Sequence, residues 1–595
     1  MVRNLLFGLF AFIVIFGGTR LNGFVINAVG LPVSEIENAG ESTANVGWDI
    51  DPDQSAQPFS DDEVIFVGSV LAAGVSLSPE YQGIHTHPGG LISFEIQIYN
   101  TGSSGTDTYN LGAVSVCPVT FFAADGSTPI TDTGPVSQGG NVTIVAKVLT
   151  PGDASLGDHN VAIVTATSSL NPSLSGMATL QTAVPAPFAQ TYLDRDDPTL
   201  MIYLAQPSSQ TVKTTAPSDP EIQEMAIAET PGFVQVWSWE GLQYNNLEYA
   251  LMDESGVVTR PATSLTNNAS AEDETYDLVP AVAVAPDGNI GIIWFRELED
   301  LGETNDNIWF AILNPAGDVI YGPQNITNNP IWGYSGDPGV PRFHQPVITA
   351  TGDNRFILSW SYEVDYIAGC TDDCSVDNVH YKVHDSTGGE VKAVTVLTDD
   401  ALDANKRHDD SNLTTLSGSR ALLVWECDDN ITLIDDICYV VVNSGGTIIK
   451  NTTNISSSLE PSLDPDAVQL SGGSPVITWN NRVSGVHQIT FAVLDGTYSL
   501  VSGPTTLDNP ASLAGNRYPS IAAAGNKAVI TWVDQDLDSI LYYALVGGSG
   551  TVLTPPMIFL TAQNPFYPYL DTNYKGFGNT SYTQDTLIYL PLLLR

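Results

Sequence analysis

The stretch Ile290-Gly291-Ile292-Ile293-Trp294 is a short apolar run ending in tryptophan, and five other stretches repeat it. They are Val234-Gln235-Val236-Trp237-Ser238-Trp239, Phe356-Ile357-Leu358-Ser359-Trp360, Ala421-Leu422-Leu423-Val424-Trp425, Val476-Ile477-Thr478-Trp479 and Val529-Ile530-Thr531-Trp532. Each is too short for a stable helix and is mainly apolar, so each reads as a buried strand. A second strand follows every copy after a variable loop: Leu247 to Leu251, Ile308 to Ile312, Val379 to Val383, Ile437 to Val441, Ile489 to Val493 and Leu541 to Leu545. A preceding strand often opens with proline, as in Val279-Pro280, Gln345-Pro346 and Tyr518-Pro519. Taking the tryptophans as 239, 294, 360, 425, 479 and 532, the period is about 53 to 66 residues, and four strands at that period describe a β-propeller blade better than a solenoid turn. Tyr567-Pro568-Tyr569-Leu570 begins a partial further unit, which Thr199 to Ala205 would complete from the other end of the chain. The expectation is all-β, with a six- or seven-bladed β-propeller over 219–595.

Upstream the pattern changes. Ile92, Phe94, Ile96 and Ile98 alternate with Ser93, Glu95 and Gln97, the period of a strand with one face in a core. Further short strands at Val142 to Val148 and Val161 to Thr167, separated by turn residues, predict a β-sandwich over 64–184. Residues 185–218 read as a linker or as the propeller-closing strand. Residues 29–63, poor in apolar periodicity and rich in Glu, Asp, Ser and Ala, read as an acidic linker. At the start, Arg3 precedes an apolar run from Leu5 to Phe16, too short to span a bilayer comfortably, so 1–28 reads as a signal peptide, with a retained N-terminal anchor as the alternative.

The sandwich region resembles the immunoglobulin-like module of secreted prokaryotic proteins, the kind associated with α-galactosidases and cell adhesion. The likeness rests on Pro88-Gly89-Gly90, the strand ending Tyr99-Asn100-Thr101-Gly102, and Pro151 to Gly157. It implies an N-terminal spacer in an extracellular setting. The repeats resemble the sialidase-like and WD-repeat-like propellers, but no turn carries the sialidase Asp-box and no repeat the Trp-Asp pair. That resemblance therefore implies a fold and not an activity.

The chain has 595 residues, with 20 Lys+Arg against 67 Asp+Glu, a formal net charge of −47. Such a field repels phosphate backbones and anionic lipid heads, which argues against nucleic acid as a partner and leaves the membrane only an anchor role. Five cysteines in an exported chain suit local disulfides: Cys370 with Cys374, and Cys427 with Cys438, leaving Cys117 as a buried free thiol.

Ligands are expected on the face carrying the long loops, which follow the Trp strands and join blades. Arg296, Arg342, Arg407, Arg482 and Arg517 fall on or beside that face by repeat register. A cluster of guanidiniums there would hold an anionic sugar, although each arginine can instead pair with a neighbouring acid, Arg407 with Asp409 or Asp410 for example. Trp332 would serve as a sugar-stacking platform. Asp534, Asp536 and Asp538 open like a calcium loop but lack its glycine and closing glutamate, so calcium is the one cofactor expected, against a solvated acidic hairpin. His380 and His384 share a strand face without a third ligand and read as structural, as does the pair His85 and His87. No catalytic set stands out. The leading expectation is an extracellular, non-catalytic binding or adhesion protein with a glycan or protein ligand at the cell surface. The alternatives are a glycan-active enzyme, sialidase-like or another glycosidase, and a structural cell-envelope component.

Overall fold

The computed structural model describes residues 74–566 apart from 187, 195–198, 207–208, 215–221, 230–231, 241–243, 254–255, 269–273, 301–302, 334–338, 365–375, 399–407, 429–433, 458–459, 484–485, 508–515, 535–539 and 562–564. All regular structure among these residues is strand.

The first part is two sheets around one core. Val75–Ser78, Leu91–Asn100, Asn141–Leu149 and Val119–Ala123 lie side by side in that order. Facing them, Tyr81–His85, Ser175–Ala183, His159–Ser168, Asp107–Val114 and Asp132–Val136 form the second sheet. The period-2 pattern places Phe94, Ile96 and Ile98 in the core with Ile144, Val148, Val164 and Leu180, while Ser93, Glu95 and Gln97 stay exposed.

The repeats form antiparallel sheets of four strands in chain order. The second is typical: Glu274–Val284, Ile290–Asp300, Glu303–Leu313 and Val319–Asn325 pair successively. The first strands of the six repeats are Ile222–Glu229, Glu274–Val284, Pro341–Thr351, His408–Leu416, Ser462–Gln469 and Asn516–Ala524. Each of these packs against the first strand of the next repeat, so they are the inner strands of a β-propeller. A further sheet joins the segment before the repeats to the segment after them: Ser209–Thr214, Thr199–Gln206 and Phe188–Asp194 lie in order, and Pro565–Phe566 pairs with Phe188–Asp194.

The tryptophans fill the space between neighbouring sheets. Trp237, Trp294, Trp360, Trp425, Trp479 and Trp532 are all fully buried, each removing an area worth roughly 4–6 kcal/mol of gross hydrophobic free energy. Register corrects the first copy. Trp294, Trp360, Trp425, Trp479 and Trp532 each stand opposite the residue just before an aromatic: Phe310, Tyr381, Tyr439, Phe491 and Tyr543. In the first repeat Trp237 holds that place, opposite Glu248 and before Tyr249, so Trp237 rather than Trp239 is the repeated residue.

Polar ties explain why the aromatic on the third strand is so often tyrosine. Tyr249 donates to the Gly317 carbonyl at 2.6 Å, Tyr381 to Gly446 at 2.8 Å and Tyr439 to Tyr498 at 2.8 Å. Each bond ties one repeat to the outer turn of the next. Tyr543 of the sixth repeat accepts instead from the Ala186 amide at 3.2 Å, where the sandwich ends. At this junction Ala183 and Ala186 pack with Val529, Val533, Leu541 and Met557, and Gly83 lies so close to the Ile558 carbonyl that no side chain fits there. His85, buried, meets the Tyr543 ring edge-on at 4.7 Å.

Candidate functional site

Five of the six inner strands carry the same irregularity. Pairing slips between Leu278 and Ala281, His344 and Val347, Asp409 and Asn412, Leu463 and Asp466, and Arg517 and Ser520. Within each slip one residue takes a left-handed backbone: Val279 (φ 50°), Gln345 (50°), Asp410 (45°), Asp464 (53°) and Tyr518 (53°). In four of the five, proline follows directly. A left-handed non-glycine residue, above all a β-branched valine, costs free energy and persists only where the surroundings impose it.

These bulges bring polar side chains of the third to sixth repeats together. Gln345 hydrogen-bonds the Asp410 carboxylate through its Nε2, and its Oε1 accepts from the Asp410 amide at 2.8 Å. Glu426, placed directly after Trp425, accepts from the Asp464 amide at 2.6 Å. One carboxylate oxygen from each of Asp410, Glu426 and Asp464 lies within 4.8 Å of the others. Three carboxylates this close are not all ionised unless a cation is held among them; without one they share a proton. Glu426 is buried, and burial together with the charges of Asp410, Asp409 and Asp464 pushes its carboxyl well above the usual range. Asp410 and Asp464 are half-buried in front of it. Burial and the same two aspartates also push the Tyr518 phenol up to about 12, against the pull of Arg517.

A second group lies at the mouth of the third repeat. His344 on the inner strand approaches Glu363 on the next, Nε2 to Oε2 3.4 Å, and Asp377 stands opposite Glu363 on the third strand. Their donor atoms also lie within 4.8 Å of one another. Either group has the donors to hold a cation.

The structure distributes the sequence candidates unevenly. Arg296 is consumed: its Nε and Nη2 reach both oxygens of buried Asp277 at 2.6 and 2.7 Å, and the guanidinium stacks over Trp309 at 4.2 Å. A guanidinium held in a bidentate pair has that fork occupied by the carboxylate. Arg342 lies in the field of Glu297 and Asp306. Arg517 donates to His487 Nε2 at 3.0 Å, and Arg482 is exposed. Trp332 is 37% exposed. The segment from Glu297 to Asp306, which follows a Trp strand, is largely a strand extension, since Ile290–Asp300 and Glu303–Leu313 continue their ladder to its tip, where Thr304 bridges to Gly333. Asp534 ends the strand Lys527–Asp534. Arg407, Asp536, Asp538, Cys370 and Cys374 lie outside the described residues. Cys427 and Cys438 form a disulfide, and Cys117 is a buried free thiol. His380 stacks on Tyr362 at 4.8 Å, and burial lowers its imidazole to about 4; His384 bonds the Gly388 carbonyl at 3.0 Å.

Sequence reasoning passed over Gln345, Asp410, Glu426 and Asp464. The signal available was the proline that follows Gln345 and Asp464.

No protein-family model matches the sequence, and no curated protein matches it. Among solved structures, a protein of unknown function from Dyadobacter fermentans aligns over 57% of this chain and 93% of its own, at 10% identity and a TM-score of 0.36. An alpha-L-arabinanase of Penicillium chrysogenum complexed with arabinobiose aligns over 64% and 100%, at 12% identity and a TM-score of 0.34. An endo-arabinanase of Bacillus licheniformis aligns over 48% and 98%, at 14% identity and a TM-score of 0.27. At these values no chemistry passes from those proteins to this chain.

Proposed function

We propose that the propeller mouth is an acid–base centre acting on a neutral glycan, with Asp410 and Asp464 facing the substrate and Glu426 behind them holding a proton. The observation that carries this reading is the shared bulge: Gln345, Asp410, Asp464 and Tyr518 occupy one strained backbone position in four successive inner strands. Strain of about 1–3 kcal/mol per residue is retained where side-chain placement matters more than stability. Cleavage of a glycosidic bond requires a proton for the leaving oxygen and a carboxylate beside the sugar. Carboxylate oxygens within 4.8 Å fit the closer of the two spacings glycosidases use, about 5–5.5 Å, in which a carboxylate attacks the sugar directly. The acidity of the mouth and the loss of Arg296 to Asp277 favour a neutral over an anionic sugar.

This reading puts the glycan-active alternative ahead of non-catalytic adhesion. Other parts of the reading are proposed with it. Export behind a signal peptide is supported by the Cys427–Cys438 disulfide, which persists in oxidising compartments. A seven-bladed count is supported by six four-stranded repeats plus the sheet that joins the segments before and after them. An immunoglobulin-like identity for the sandwich is supported by its two facing, mainly antiparallel sheets.

The test is reducing-end release from a panel of neutral polysaccharides by the purified chain. Asp410→Asn and Asp464→Asn should each lower the rate at least about 100-fold with unchanged circular dichroism. An unchanged rate in both overturns the assignment, and glycan binding without cleavage returns the protein to the adhesion reading.

A further inference from the structure

We propose that His344, Glu363 and Asp377, with Asp306 beside them, form a binding site for one divalent first-row metal ion of the zinc or manganese kind. The site spans the boundary between the second and third repeats and stands independently of the acid–base reading.

Register explains how three of the four meet. Arg342, Glu363 and Asp377 lie directly opposite one another on three adjacent strands. Residues opposite in a ladder share a face, and His344, two positions from Arg342, shares it too. That face meets the preceding repeat, whose third strand carries Asp306. Asp306 is 6% exposed, and its Oδ1 has no hydrogen-bond partner among the described residues. Its electrostatic neighbours are Glu297, Arg342, His344 and Glu363, which places the buried carboxylate beside the group. Leaving a carboxylate oxygen buried without a partner is costly, and a cation removes that cost.

Geometry and charge agree. The 3.4 Å between His344 Nε2 and Glu363 Oε2 is the edge expected between two ligands of a tetrahedral ion with bonds of about 2.1 Å. Asp306, Glu363 and Asp377, with Glu297 and Asp409 in the same field, outnumber the one positive charge of Arg342, a negative excess that a divalent ion offsets. One imidazole with carboxylates selects a borderline ion, whereas calcium and magnesium prefer oxygen alone.

The experiment uses the full chain, stripped with chelator and titrated calorimetrically with zinc chloride, manganese chloride and calcium chloride. One equivalent of zinc or manganese should bind, weakened at least tenfold by both His344→Ala and Glu363→Gln. Retained thermal unfolding in both variants separates ligand loss from misfolding, and His344→Gln provides a milder second variant. Failure of both transition ions to bind overturns the proposal. So does binding that survives His344→Ala but is lost in Glu426→Gln, which would move the ion to the Asp410 group. Calcium binding without zinc or manganese also overturns it, because the imidazole would then have no role.

Discussion

Replacing Arg296 by methionine asks whether this arginine serves the fold or a ligand. Asp277 is fully buried and accepts four bonds: from Trp294 Nε1 at 2.7 Å, Arg296 Nε at 2.6 Å, Arg296 Nη2 at 2.7 Å and Asn268 Nδ2 at 2.6 Å. Methionine keeps the apolar contact with Trp309 but leaves the carboxylate without its countercharge. Removing one partner of a buried pair costs about 3–5 kcal/mol, because the surviving charge stays desolvated. With an unfolding entropy of about 2.1 cal/mol/K per residue, a cooperative unit of roughly 500 residues changes by about 1 kcal/mol per kelvin, so Tm should fall by about 3–5 °C. Urea unfolding followed by tryptophan fluorescence measures the loss directly, since Trp294 reports on the same carboxylate. The double variant Asp277→Asn with Arg296→Met should recover most of it, because no charge is then left buried. A loss under about 1 kcal/mol in the single variant, or lost glycan binding at unchanged stability, would refute the structural role assigned to the pair.

The inter-repeat ties predict that Tyr381→Phe and Tyr439→Phe each cost about 1–2 kcal/mol, seen as a lower denaturant midpoint, because the Gly446 and Tyr498 carbonyls lose a buried donor. Burial lowers the His85 imidazole to about 3, so the folded protein keeps it neutral while the unfolded chain binds a proton below its ordinary value near 6.5. That contribution is complete above pH 6.5 and is lost as pH falls toward 3, on the order of a few kcal/mol in all; urea midpoints between pH 7 and 4 should fall less steeply in His85→Leu than in the wild type. Calcium at Asp534, Asp536 and Asp538 predicts a rise in thermal midpoint with calcium that chelator and Asp536→Ala abolish, and no change in the wild type removes the ion from this loop.

The architecture was legible because propeller repeats are built from local signals. An apolar strand ending in tryptophan packs between sheets whatever its loops do, so the six copies announced the repeat, and the alternation around Phe94 and Ile96 announced the sandwich face. Cys427 and Cys438 were legible for the same reason: they lie on adjacent strands joined by one short segment. Even there the local signal had a limit, since Trp237 and Trp239 look alike in sequence and only pairing register selects Trp237. The site was another matter. Asp410 has no proline after it to mark its bulge, and nothing local distinguishes Glu426 from the many other acids of so acidic a chain. Gln345 meets Asp410 across 65 residues, and Asp306 comes within the field of His344 only because two sheets face each other. Arg296 looked available because sequence shows charge but not company. The sequence by itself determined where the central strand of each repeat lies, because an apolar run depends on neighbours along the chain, but not how far each ladder extends. Which carboxylates converge, which arginine is consumed and which backbone positions are strained were decided by tertiary structure alone, because each depends on closing the ring of sheets.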